Sequence, residues 1–201
     1  MIGALYLHIH LFTLIDSEEN AMETQQTVAQ QWEAQLQAVR ARVLAGGGRP
    51  GVVPAQEARG MSGLAIMQAL LDGRFPYAHI AETLNFFLVE VDKGSATFQG
   101  TPQIDHLNPM GTVHGGWYAT LLDSAVGCAV QTMLEPGYGY TTAELSVNLV
   151  RGARLDGGPL RAIGTVLHCG RQVATAEGKI VDAQGKLYAH ATTTCLVFEP
   201  R

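Results

Sequence analysis

The chain has 201 residues, 47% of them hydrophobic and 15% charged, with a formal net charge of −5. That length suits one domain, or one domain with an appendage, and the composition supports a sizeable core and excludes disorder as the default state. No long basic run is present, which argues against a nucleic-acid surface, although the overall acidity does not bar an anionic ligand held by a few local arginines.

Residues 1–15 form an apolar run containing His8 and His10. It is too short to span a bilayer comfortably and lacks the positive start of a secretory signal. Residues 1–21 are therefore expected to be an over-long start or disordered, with Met22 as the initiator. A genuine packing segment and a targeting or membrane-touching element are the alternatives. From Thr27 to Leu44, Val28, Trp32, Leu36, Val39 and Val43 recur at spacings of three and four. Residues 22–51 thus read as an amphipathic helix followed by the Gly-rich linker Gly46-Gly47-Gly48-Arg49-Pro50-Gly51. Such a helix docks on its own domain or on a neighbouring subunit, and it carries too few basic residues for a membrane surface. Ser62 can cap a short helix running to Leu71, which Gly73 ends.

Strand signals follow. Asn85 to Val91 and Ser95 to Gln99 flank the turn Asp92-Lys93-Gly94. A mostly apolar helix spans Trp117 to about Leu134. Thr141 to Val150 alternates, with Thr142, Glu144, Ser146 and Asn148 on one face and Leu145, Val147 and Leu149 on the other. Leu160 to His168, Gln172 to Val181 and Lys186 to Phe198 complete the set. Two strands, one long helix and four strands give an α+β order. A curved antiparallel sheet wrapped around that helix would explain its apolar character.

The stretch from Asn108 to Asp123 carries the most chemistry. It reads Asn-Pro-Met-Gly-Thr-Val-His-Gly-Gly-Trp-Tyr-Ala-Thr-Leu-Leu-Asp. Glycines at a helix start let a ligand approach bare N–H groups, which can hold a polarised carbonyl oxygen. A lone acid, Asp123, on an otherwise apolar helix needs a reason to be there.

This segment resembles the active-site motif of the PaaI-type hot-dog-fold acyl-CoA thioesterases: Asn-x-x-Gly-x-x-His-Gly-Gly, then an acid seven residues later. Asn108, Gly111, His114, Gly115, Gly116 and Asp123 fill its slots. The resemblance extends to Gly73-Arg74-Phe75-Pro76, Ile80 to Leu84, Ala143 to Leu149 and Gly170-Arg171, and covers about residues 60–199. It implies a hot-dog domain over 60–199 and hydrolysis of an acyl-CoA thioester, with coenzyme A as part of the substrate and no separate cofactor. It implies Gly115 N–H as donor to the thioester oxygen, Asn108 as second donor or water holder, and Asp123 as general base or nucleophile. Thr142 matches a position where a hydroxyl helps to place water, and His114 braces the loop or touches substrate. Gly116 would face the ligand, and Arg151, Arg154 and Arg171 are candidates for CoA phosphate pairing.

Asp123 follows His114 by nine residues. On a helix that is roughly 13 Å along the axis and half a revolution round it. Either the two features are unrelated or the site is shared between subunits. A two-fold dimer sets one helix start beside the other helix's middle, as the hot-dog family does. A dimer is then the minimum unit and a tetramer is expected. The alternative function is a non-catalytic acyl-CoA sensor, although one N-terminal helix is not a DNA-binding helix-turn-helix. Hot-dog hydratases use a different arrangement. Cys128, Cys169 and Cys195 have no metal or redox spacing and read as buried small hydrophobes of a reducing cytoplasm. No metal constellation and no nucleotide loop is visible, and no membrane or nucleic-acid partner is expected.

Overall fold

The computed structural model describes residues 28–199. The expectation for residues 1–21 lies outside them. Helix α1 covers 28–45, and its apolar stripe is buried at Leu36, Val39 and Val43. Three short helices follow: α2 (Ala55–Ala58), α3 (Gly63–Leu71) and α4 (His79–Thr83). Ser62 caps α3, its hydroxyl accepting from Ala65 N at 3.3 Å. Gly73 ends the segment in the left-handed region, at φ +75°.

Strands β1 (Phe86–Asp92) and β2 (Ser95–Gly100) form the expected hairpin. Helix α5 (Gly115–Gln131) comes next, then β3 (Gly139–Leu149), β4 (Leu160–Cys169), β5 (Val173–Val181) and β6 (Leu187–Phe198). The six strands make one antiparallel sheet in the order β1-β2-β4-β5-β6-β3. Helix α5 packs against every one of them, so the sheet curves around it. Trp117, Leu121, Leu122, Ala125, Val126, Ala129 and Val130 are its buried side. The helix is not apolar all round, because Thr120, Asp123, Ser124 and Gln131 keep a half-exposed face.

A glycine pair sets the distance between helix and sheet. Gly164 and Gly178 face each other across β4 and β5. A Cβ on Gly164 would collide with the carbonyl of Ala125, and one on Gly178 would stand 2.7 Å from Val126 Cγ1. The missing side chains let the helix backbone rest on the sheet.

The two sheet edges differ. Helix α1 covers β1: Gln35 Nε2 donates to Val89 O at 3.3 Å, at the bulge between Leu88 and Glu90. Arg161 of β4 alternates with Leu160 and Ala162 of the core and so points away from α5. There it donates to Gln99 Oε1, Glu90 Oε1 and Gln35 Oε1 at 3.0, 3.0 and 2.7 Å, and its guanidinium lies 4.3 Å from the Trp32 ring centre. Among the described residues nothing pairs with the outer edge of β3.

Strict alternation along β3 fails at one point. A bulge separates Thr142 from Glu144. It turns Thr142 inward, to the same face as Leu145 and Val147, and leaves Ala143, Glu144, Ser146 and Asn148 exposed. The polar-face placement of Thr142 expected from the sequence is therefore corrected.

Candidate active site

The loop before α5 is pinned by two buried rings. His106 Nδ1 accepts from Gln103 N at 2.9 Å, and its Nε2 meets Thr83 O at 3.1 Å. Trp117 Nε1 donates to Leu84 O at 2.9 Å. Between them Asn108 closes a tight turn. Its Oδ1 accepts from Met110 N and Thr112 N, and its Nδ2 donates to Thr112 Oγ1 at 2.8 Å. The turn thus uses the carbonyl and one amide hydrogen, and among the described residues the second hydrogen has no acceptor. Gly111 sits at φ +77° in that turn, where a side chain would strain.

His114 is the N-cap of α5. Its Nδ1 accepts from Gly116 N at 2.9 Å, which fixes the proton on Nε2. The Gly116 N–H is thereby occupied within the chain. The Gly115 N–H is different: among the described residues no acceptor meets it. An orphan donor at the positive end of a 17-residue helix is equipped to bind a developing oxyanion.

Asp123 lies two turns further on, half-exposed. Its Oδ1 accepts from Thr142 Oγ1 at 3.0 Å, and among the described residues its Oδ2 has no partner. Cys128 and Tyr140 flank the same region. Burial, then the nearby Asp123 charge, pushes the Cys128 thiol up to about 12. Burial also holds the Tyr140 phenol well above its ordinary value, with Cys128, Cys195 and Asp123 adding to it. Both groups stay protonated at neutral pH, so Cys128 is no thiolate and Tyr140 no phenolate. The half-buried Tyr140 escaped the sequence reading; a glycine facing it, Gly127 on α5, leaves room for its ring.

In one chain Gly115 and Asp123 are eight residues apart, about 12 Å of helix rise. The fold brings Thr142 to Asp123, and His114 caps the helix that begins at Gly115 while Asn108 closes the turn before it, but Asp123 stays far from all three in one chain. Arg151 and Arg154 follow β3 near the start of α5, where Ala153 N donates to Tyr118 Oη. Arg154 is held by Asp156 through two bonds of 2.8 Å, both side chains being largely exposed. Arg171 lies at the opposite end of α5, beside Leu134 and Tyr138. Trp117 and Tyr118, which follow the glycine pair on α5, are core residues at 2% and 3% exposure. Among the described residues no cluster of His, Cys, Asp or Glu could hold a metal ion, and no helix is long and apolar enough to cross a membrane.

Comparison with known proteins fits this arrangement. The thioesterase superfamily model matches residues 110–189, the span from the turn to β6. A 1,4-dihydroxy-2-naphthoyl-CoA hydrolase of Listeria monocytogenes is 27% identical over 122 residues, 61% of this chain and 98% of that one. A phenylacetic acid degradation-related protein of Ralstonia eutropha is 32% identical with a TM-score of 0.59, covering 65% of this chain and 98% of its own. A mutant of the phenylacetic acid degradation protein PaaI of Thermus thermophilus is 29% identical with a TM-score of 0.52, covering 58% and 96%. With the family motif seated on the central helix and relatives matched over nearly their whole length, this chain belongs to the thioesterase superfamily and has its hot-dog fold, PaaI proteins being among its structural neighbours.

Proposed function

We propose that the chain hydrolyses an acyl-CoA thioester to the free acid and coenzyme A, in a site that two subunits share. The observation that carries this reading is Asp123: a half-exposed carboxylate in mid-helix with one oxygen held by Thr142 and the other without a partner among the described residues. A water at the open oxygen gives its proton to the carboxylate while its oxygen attacks the thioester carbonyl. The carbonyl oxygen gains charge and is held by the N–H of the partner subunit's Gly115. The tetrahedral centre then collapses, the C–S bond breaks, and the proton follows the departing thiolate. Arg151, and Arg154 on release from Asp156, are the candidates for pairing with the phosphates of CoA. The name of the Listeria relative, a CoA-ester hydrolase, supports the substrate class.

Two features support the shared site. Among the described residues the β3 edge is unpaired and 11 residues long, while the β1 edge is covered by α1. A free edge of that length is a template for pairing with another strand, and an antiparallel β3–β3 contact sets two α5 helices side by side in opposite directions. A second copy of that dimer could use the outer face, where Val173, Leu196 and Phe198 are exposed.

The sensor reading requires binding without turnover, and the open Asp123 oxygen favours catalysis over it. Steady-state assay of an aromatic and aliphatic acyl-CoA panel, with release of free thiol as the readout, tests the choice. Turnover abolished by Asp123→Asn supports hydrolysis. Tight acyl-CoA binding with no thiol released from any substrate supports the sensor.

A further inference from the structure

A cavity of about 120 Å³ lies between α1, α3, the β1–β2 hairpin and α5. Its wall is almost wholly apolar, formed by Val39 and Val43 of α1, Leu70 of α3, Phe86 and Phe98 of the hairpin and Cys128 of α5. Ser124 also lines it, but its hydroxyl donates to Thr120 O at 2.8 Å and offers the cavity no free hydrogen. Protein cores hold few voids larger than a water molecule, so a space of this size marks a place built for something else.

Its position and size indicate the occupant. Ser124 directly follows Asp123 and stands about 100° from it around the helix. Ser124 lines the cavity, which therefore adjoins the turn of α5 that carries the carboxylate. An apolar cavity of roughly 150 Å³ accepts benzene, so this one suits a group of about six carbons. On the far side a second groove shares Val43, Tyr77 and Phe87 with the cavity. The Tyr77 and Phe87 rings, 5.1 Å apart, stand between the two, with the Arg40 guanidinium 4.6 Å from the Phe87 centre.

We propose that this cavity receives the acyl group of the thioester. Helices α1 and α3 form its outer wall, and the Tyr77–Phe87 pair limits the acyl length to about six carbons or one phenyl ring. The inference rests on the hydrolase reading above and adds the substrate class. The wall-forming helices precede residues 110–189, the segment the superfamily model matches, so the size limit belongs to this chain's N-terminal region rather than to the shared motif.

The test measures kcat/KM for straight-chain acyl-CoAs from two to twelve carbons and for phenylacetyl-CoA, using the full chain and two variants. The unaltered protein should favour hexanoyl and phenylacetyl groups. Leu70→Trp fills the cavity and should lower kcat/KM for hexanoyl-CoA at least tenfold while sparing acetyl-CoA. Phe87→Ala opens the partition and should move the optimum to longer chains. If Leu70→Trp does not fold, Phe87→Ala decides alone. Hydrolysis by the unaltered protein, with the same chain-length profile in each folded variant, overturns the cavity assignment and leaves the hydrolase reading intact. No hydrolysis of any acyl-CoA by the unaltered protein overturns both.

Discussion

Thr142 Oγ1 donates to Asp123 Oδ1 at 3.0 Å, and it reaches that carboxylate because β3 carries an extra residue between Thr142 and Glu144. Without the bulge Thr142 would share the exposed face of Ser146 and Asn148. With it, one strand presents a hydroxyl to the acid and, further on, Leu145 and Val147 to the core. The hydrogen bond fixes one carboxylate oxygen, and among the described residues the other has no partner.

Removing that hydroxyl should slow catalysis without unfolding the chain. A hydrogen bond to a charged group is worth about 1.5–3 kcal/mol, so Thr142→Val should lower kcat about 10- to 100-fold, and Thr142→Ser should recover most of it. Steady-state kinetics on the three proteins checks this. Equal kcat for Thr142→Val and the unaltered chain would separate Thr142 from the chemistry.

Asp123→Asn keeps the shape and can still accept from Thr142, but it cannot take a proton from water. A positioned base contributes about 10²–10⁴-fold in rate, and a loss of that size is expected with an unchanged melting temperature. A variant with more than half the normal turnover would remove Asp123 from the mechanism. A variant that unfolds would make the carboxylate structural.

The motif from Asn108 to Asp123 and the order of strands were legible in the sequence because both are local patterns. The tie between Thr142 and Asp123 was not, since a period of two cannot reveal a bulge. Arg161 was also hidden. It sits on the outward side of a strand and reads as a solvated residue, yet α1 folds over it with Trp32 and with Gln35, the latter 126 positions earlier. Gly164 and Gly178 left a signal that could have been used, isolated glycines inside strand patterns, but only the helix above them gives it meaning. The cavity depends on how α1 and α3 cross the hairpin, which no local spacing encodes.

Arg161→Met should loosen α1. Arg161 is 5% exposed, and its guanidinium bonds Gln99, Glu90 and Gln35 at once. Removing one partner of a buried charged network costs about 3–5 kcal/mol, and the half-exposed Glu90 carboxylate brings the expectation to about 2–3 kcal/mol. Hydrogen exchange should accelerate across residues 28–45 more than in β4. Unchanged protection there would mean that the apolar stripe alone holds the helix.

Gly164→Ala should destabilise the whole domain, because its Cβ would meet the Ala125 carbonyl of α5. Overpacking of this kind costs about 1–3 kcal/mol, roughly 2–12 °C of melting temperature for a chain of this size. Thermal unfolding followed by circular dichroism reads the shift. An unchanged melting temperature would mean that α5 does not rest on the sheet at Gly164.

The shared site is tested most directly by mixing two inactive chains. Gly115→Pro deletes the proposed oxyanion donor at a helix position that tolerates proline, and the extended backbone of His114, φ −62° and ψ 137°, suits a following proline. Asp123→Ala deletes the base. After subunit exchange half the dimers are mixed, and each mixed dimer holds one intact site of two, so activity should return to about one quarter of normal. Exchange confirmed by mass spectrometry with no return of activity would contradict the account, because each chain would then supply both groups to its own site.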